Sequence, residues 1–176
     1  MLGIDFPEDL QTLLGKSISI SVGGDAPDDL ATIDEPGDLS VGALINGDSD
    51  AIEDVIAKLE QSAGTTLEDL EITKSSKEGK VVLASNEEYA DELLGSGSLG
   101  DDEGFQDAVP NAEDAQMIAY VDFDGDWGKA ILDLVREDGD QESEEVADNL
   151  AALRAFGASV WTEDDVTHAL VRLSLK

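Results

Sequence analysis

The chain has 176 residues, of which 41% are hydrophobic, so it contains enough apolar side chain to form a folded core. Its 42 acidic and 10 basic residues give a net charge of −32, which disfavours binding to nucleic-acid phosphates and to anionic lipid headgroups. The absence of cysteine excludes disulfides, thiolate nucleophiles and cysteine-ligated zinc.

The carboxylates are spread between apolar residues that keep a clear period, which is typical of a folded protein with an acidic surface. No apolar run approaches the roughly 20 residues of a spanning helix. The opening MLGIDFPEDLQTLLG lacks the basic and continuous apolar regions of a signal peptide. We therefore expect the chain to be the inner part of a longer protein.

The first half of the chain predicts a short helix followed by strands and a longer helix. Leu10, Leu13 and Leu14 form an apolar stripe between Pro7, which can open a helix, and Gly15, which can end it. The patterns that follow predict, in order, a strand at 17–22, a strand at 39–46, a helix from Asp50 to Gly64, and a hairpin of 70–73 with 80–84.

The second half repeats this alternation. Asn86 is placed to cap a short helix that contains Tyr89 and Leu94. The later patterns predict a helical turn at 105–109, a strand at 115–122, a helix at 127–135, a helix from near Ser143 to Leu153, and strands at 158–164 and 166–175.

This order predicts an α+β fold in which an antiparallel sheet carries helices on one face. Residues 44–61 align with residues 120–137, which suggests two β-α-β-β pseudo-repeats, 16–95 and 101–176, within a single domain, 1–176. One continuous sheet is expected to bury the apolar residues of the helices, namely Val55, Ile56, Leu59, Ile131, Leu134, Leu150 and Leu153.

The segment DFDGDWG raises the question of a metal site, because Asp122, Asp124 and Asp126 alternate as in a calcium loop. Counted from Asp122, the sixth position is Trp127 instead of glycine, and the twelfth is aspartate instead of glutamate. Helix capping explains the triplet better, since a carboxylate can accept from the free N–H groups where a strand becomes a helix. We therefore predict no cofactor, with Ca²⁺ at the triplet as the alternative.

The capping hypothesis names specific residues in both pseudo-repeats. Asp124 or Asp126 is expected to cap the helix that carries Trp127, and Asp48 or Asp50 to cap its counterpart in the first repeat.

The remaining motifs favour structural roles. GSGSLG matches a dinucleotide-binding pattern at Gly95, Gly97 and Gly100, but a helix precedes it and acidic residues follow it, which favours a linker. His168, the only histidine, alternates within a predicted strand, which favours a residue of a sheet face over a member of a catalytic triad. Three aromatic residues that could form ligand platforms are assigned to the core by their position on apolar stripes: Trp127, Trp161 and Tyr120.

Several segments together resemble a known family. They are LGIDFPEDLQTLLGKSISISV, VVLASNEEYADELL, FQDAVPNAEDAQMIAYVDFD and ASVWTEDDVTHALVRLSL. The chain resembles the actinobacterial domain-of-unknown-function family 3352 over most of its length. The resemblance implies an extracytoplasmic domain held at the membrane by an N-terminal segment that precedes this chain, and it brings no activity, cofactor or catalytic residues.

The sequence therefore predicts a non-enzymatic, extracytoplasmic domain of the cell envelope that acts by binding or scaffolding. Its partner is an unidentified protein or small ligand, and its oligomeric state is open. Two alternatives remain: a cation-binding or salt-adapted acidic surface module, and a hydrolase that uses carboxylates alone, although 42 acidic residues leave no pair distinguished.

Overall fold

The computed structural model describes Ala26 and residues 5–23, 38–95, 99–137 and 139–176. Contacts divide these residues into two compact units, of which the first comprises residues 5–23 and 38–95, and the second comprises the others. The division falls close to the predicted boundary between the pseudo-repeats. The grouping of both units into one domain stays a prediction.

The first unit contains three α-helices and four strands among its described residues. In chain order its elements are α1 (Glu8–Leu14), β1 (Ser17–Gly23), β2 (Ser40–Asn46), α2 (Ser49–Ala63), a 3₁₀ turn (Glu68–Leu70), β3 (Thr73–Lys77), β4 (Lys80–Ala84) and α3 (Glu87–Leu94). The four strands form one antiparallel sheet in the order β1–β2–β4–β3.

The hairpin of β3 and β4 begins later than the sequence predicts, because its turn has only two residues. Glu78 and Gly79 both have positive φ, which is typical of the tight turns that match strand twist. Lys77 and Lys80 therefore pair directly, and β3 begins at Thr73 instead of residue 70.

Helices cover both faces of the first sheet, and the prediction of a single covered face is wrong for this unit. Ile52 and Ile56 of α2 pack with Ile45 and Val81 on one face. On the other face, α3 contributes a separate cluster with its neighbours, namely Val82, Ala84, Tyr89 and Ala90. Because adjacent residues of β4 point to opposite faces, Val81 and Val82 belong to different cores.

The second unit contains three helices and three strands among its described residues. In chain order its elements are a 3₁₀ turn (Leu99–Asp101), α4 (Glu103–Ala108), β5 (Met117–Asp122), α5 (Asp126–Glu137), α6 (Gln141–Ala151), β6 (Leu153–Glu163) and β7 (Val166–Leu175). The strands form an antiparallel sheet in the order β5–β6–β7.

The core of the second unit lies between α4 and one face of its sheet. Phe105, Ala108 and Val109 pack on Ala155 of β6, and Tyr120 of β5 meets the ring of Phe105 edge-on. Tyr120 therefore packs against this core, to which the sequence assigned it, but it is only half-buried. Helices α5 and α6 pack mainly against each other, and both contain buried apolar residues, Leu132 in α5 and Ala147 in α6.

The α+β class and the antiparallel pairing are confirmed, but the strands form two sheets and not the one continuous sheet predicted. In both units a strand is followed by helix and then by two strands, with one helix (α2) in the first unit and two (α5 and α6) in the second, yet the pairing of the strands differs. In the first unit β2 pairs with the last strand, β4, whereas in the second β5 pairs with the next strand, β6. Sequence similarity between the segments therefore does not extend to sheet topology.

Most of the predicted core positions are protected from solvent. Val55 and Ile56 are buried, and Leu59, Ile131 and Leu150 are half-buried. Leu134 is 45% exposed, so its predicted burial is wrong. Leu153 begins β6 instead of ending a helix, and α6 is capped by Asp140 instead of near Ser143. Within the described part of the chain, no helix is both long and apolar enough to cross a membrane.

Candidate functional site

The three aspartates of DFDGDWG have three different partners. Asp122 accepts a hydrogen bond from the backbone N–H of Asp124 at 2.8 Å, which tightens the turn before α5. The side chain of Asp124 forms an ion pair with Lys176 at 3.0 Å and a longer one with Arg154 at 4.0 Å. Asp126 begins α5 and pairs with Lys129 one turn later, at 2.8 Å.

These contacts correct the predicted cap of α5. The backbone carbonyl of Gly125 accepts the first helical hydrogen bond, from Lys129, so neither Asp124 nor Asp126 occupies the capping position. The Lys129 ammonium, by hydrogen bond and by charge, holds the pKa of Asp126 below its ordinary value. The described residues contain no group of three carboxylates or histidines that could hold a metal ion.

The corresponding prediction for the first unit is confirmed. Asp48 is the N-cap of α2, and its side chain accepts from the N–H of Ala51 at 3.3 Å. The same use of short side chains recurs at three other helices, whose caps are Asn86, Asp102 and Asp140. Some of the many acidic residues of the chain therefore cap the N-termini of helices, where the helix dipole favours negative charge.

His168 lies on β7 directly opposite Trp161 of β6, and their rings stack with centroids 5.2 Å apart and planes 15° apart. Within the described residues, its ring forms no hydrogen bond with a hydroxyl or carboxylate. Both rings are half-buried. The arrangement is that of a cross-strand aromatic pair, in agreement with the prediction that His168 belongs to a sheet face.

The glycine-rich segment is described only in part, because Gly97 lies outside the described residues. Gly95 is the C-cap of α3, so a helix precedes the segment, as the linker interpretation requires. Gly100 belongs to a short 3₁₀ turn, and a Cβ atom at this position would meet nothing within 4 Å. Trp127 is half-buried near the start of α5.

Comparison with protein-family models, with curated proteins and with solved structures finds no match to this chain.

The most distinctive surface of the second unit is the sheet face opposite α4, which we call the apolar face. The register places its side chains in three cross-strand rows: Met117–Val160–Ala169, Ala119–Ala158–Val171 and Val121–Phe156–Leu173. All nine residues are apolar, in a chain of which 30% is charged. No charged or polar side chain interrupts these rows.

The outer strands of the apolar face are open to solvent. Met117 on β5 is 69% exposed, and Val171 and Leu173 on β7 are 68% and 57% exposed. The residues of the central strand, including Phe156 and Val160, are half-buried between their neighbours. This surface is an extended sheet face instead of a cleft, and it offers apolar contact to a partner.

The register places Leu170 and Arg172 on the same face as His168, and Val171 and Leu173 on the apolar face. The sequence VTHALVRLSL already indicates a second apolar face. Both alternating sets of its residues contain apolar side chains, and this pattern predicts a strand that is covered on both faces. Which of the two faces receives a helix could be read only from the structure.

Proposed function

We propose that this protein is a non-enzymatic binding or scaffolding domain that uses the apolar face to contact another protein. The observation that carries the proposal is the uninterrupted set of nine apolar side chains on an open sheet face. Antiparallel sheets commonly place a core on one face and polar residues on the other. Here α4 and its core cover one face, and the opposite face is also apolar but open.

The exposed positions are what make a binding role the best explanation. A contiguous exposed apolar patch marks an interaction site in soluble proteins, whereas scattered exposed apolar residues need no explanation. The apolar face is contiguous, since its three rows occupy adjacent positions on three paired strands. A broad sheet face suits a protein surface better than a small ligand, because small ligands occupy concave pockets.

The described ionisable groups favour binding over carboxylate-based hydrolysis. A general acid in such a hydrolase requires a carboxyl group with a raised pKa. The displaced carboxyl pKa values in the described residues all lie below the ordinary value, because backbone N–H groups or lysines stabilise the charged form. These carboxyl groups belong to Asp9, Asp69, Asp126 and Asp140.

We also propose that the domain works outside the cytoplasm, attached to the cell envelope through a segment that precedes this chain. The proposal rests on the resemblance of the four sequence segments to an actinobacterial extracytoplasmic family. Accessibility of the intact protein to an added protease in whole cells tests this location.

The binding proposal is tested by site-specific photo-crosslinking in cells that produce the protein. A photoreactive residue at position 171 lies on the apolar face. One at position 166 replaces Val166, which lies on the same strand but on the opposite face of the sheet. Both positions are exposed, Val166 at 55% and Val171 at 68%, so solvent reaches either one. We expect a discrete protein adduct from position 171 and none from position 166.

A charged substitution provides the second arm of this experiment. Leu173→Lys places an ammonium within the apolar face and should abolish the adduct from position 171 while leaving the unfolding midpoint near that of the wild type. Val166→Lys is the matched control and should leave the adduct intact. Equal adducts from both positions, or an adduct that survives Leu173→Lys, would contradict the proposal.

A further inference from the structure

A polar row crosses the first sheet at one end of the face that carries α3. The register aligns Ser17 on β1, Asn46 on β2, Lys80 on β4 and Lys77 on β3. Residues that pair directly across strands point to the same face, so the four side chains form one line. Neighbouring strands lie about 4.8 Å apart, which makes the line about 14 Å long. We call these four residues the lysine row.

Three glycines fix the backbone around the lysine row. The N–H of Gly47 donates to the carbonyl of Gly79 at 2.8 Å, which joins the loop after β2 to the β3–β4 turn. A Cβ atom on Gly15 would lie 2.4 Å from the carbonyl oxygen of Asn46, so only glycine fits this approach. The backbone that presents Asn46 and Lys80 is therefore set by close contacts between three loops.

Three ammonium groups at this end of the sheet have no acidic partner among the described residues. Lys58 pairs with Asp9 and Lys74 pairs with Glu53, but no described carboxylate lies at ion-pair distance from Lys77 or Lys80. Lys16, which immediately precedes Ser17, also has no such partner among the described residues. This is unusual in a chain with 42 acidic and 10 basic residues, where a lysine meets carboxylates far more readily than other cations.

The cross-strand pair of Lys77 and Lys80 is unfavourable by itself. Like charges directly opposite each other on a sheet repel, and their Cβ atoms lie about 4.5–5.5 Å apart. An anion placed between the two ammonium groups converts this repulsion into two charge-assisted hydrogen bonds. The amide of Asn46, which donates to the Ser17 hydroxyl at 2.9 Å, supplies further polar groups beside the pair.

We propose that the lysine row is a binding site for a small ligand with closely spaced phosphate groups. The phosphates meet Lys77 and Lys80, and the uncharged remainder of the ligand lies along Asn46 and Ser17. The net charge of −32 restricts the ligand to a small anion, because a long polyanion is repelled by the rest of the surface. This site lies in the first unit and is independent of the apolar face of the second.

The test is a two-dimensional NMR titration of the full chain with inorganic diphosphate, at a constant ionic strength of about 0.15 M to suppress nonspecific screening. We expect saturable shifts of the backbone signals of Lys77 and Lys80 and of the Asn46 side-chain amide. Lys77→Gln and Lys80→Gln should each weaken binding roughly tenfold, which is the effect of losing one hydrogen bond to a charged group. Orthophosphate should bind more weakly, since it can engage fewer donors.

The matched control is Lys74→Gln, because Lys74 lies on the same strand as Lys77 but on the opposite face, where it pairs with Glu53. It should change the affinity less than twofold. An equal loss in all three variants, or shifts that do not saturate, would overturn the proposal and show general charge screening. Cosedimentation with vesicles of phosphatidylglycerol, lost in Lys77→Gln, would assign the phosphate to a lipid headgroup, whereas we expect the soluble diphosphate alone to bind.

Discussion

Replacing Gly157 by alanine should separate α4 from the sheet of the second unit. Gly157 lies in the middle of β6, and the end of α4 crosses directly above it. A Cβ atom at this position would lie 2.2 Å from the carbonyl oxygen of Ala108 and 2.8 Å from the Cβ of the same residue. Carbon and oxygen atoms in close contact are about 3.3 Å apart, so the helix must move by about 1 Å.

The displacement of α4 lowers the free energy of unfolding because it disrupts buried contacts. Phe105, Ala108 and Val109 are buried against the sheet, and a gap of 0.5–1 Å forfeits about a quarter to a half of each dispersion contact. Overpacking of a well-packed core costs about 1–3 kcal/mol. Because the clash is with backbone atoms, which cannot rotate away, we expect a loss of about 2–3 kcal/mol in the free energy of unfolding.

Tryptophan fluorescence is a selective assay for this effect. Both tryptophans of the chain, Trp127 and Trp161, lie in the second unit, so their emission during urea unfolding reports on that unit. Gly100→Ala is the control in the same unit, because a Cβ atom there meets nothing within 4 Å. It should change the free energy of unfolding by less than about 0.5 kcal/mol. Equal midpoints and slopes for Gly157→Ala and Gly100→Ala would refute the close approach of α4 to the sheet.

Three further predictions concern caps and charge. Asp48→Ala should cost about 0.5–2 kcal/mol through loss of the α2 cap, whereas Asp50→Ala should cost little, as measured by urea unfolding followed by circular dichroism. The N–H of Asp5 and the ammonium of Lys58 hold the pKa of Asp9 below its ordinary value of 3.8, so this carboxylate stabilises the fold above about pH 4 and its contribution disappears as the pH falls through the folded-state pKa. Asp9→Asn should therefore have a smaller fall in urea midpoint between pH 5 and pH 2 than the wild type, and an identical fall would contradict this assignment. The net charge of −32 stores self-repulsion, so the melting temperature should rise with NaCl, and a constant melting temperature from low to high salt would show that repulsion is insignificant.

The local patterns of the sequence predicted most elements, because periodicity and end signals act over a few residues. Alternation located β1, and the helical spacing from Asp50 to Gly64 located α2, with Gly64 correct as its C-cap and Asp48 one of the two residues named as its N-cap. The predicted bounds of an element were wrong where one local sequence pattern is compatible with two structures. The β3–β4 turn could have been longer, and the positive φ of Glu78 made it a two-residue turn.

The candidate sites show the same limit. The sequence identified the aspartates of DFDGDWG but could not show that Asp124 pairs with Lys176, which lies 52 positions later in the chain. Opposite charges meet only when β5 and β7 have been brought into one sheet with β6 between them. The apolar face and the lysine row likewise depend on register, since shifting one strand by a single residue would move its side chains to the other face.

The sequence by itself determined the α+β class, the acidic surface, the absence of cysteine chemistry and the positions of most helices and strands. The tertiary structure alone decided that the strands form two sheets, that helices cover both faces of the first sheet, and that one face of the second is apolar and open. The physical reason is the range of the interactions. Backbone propensity, capping and amphipathic period are properties of neighbouring residues, whereas strand partners and the choice of the covered face depend on contacts between residues distant in the chain.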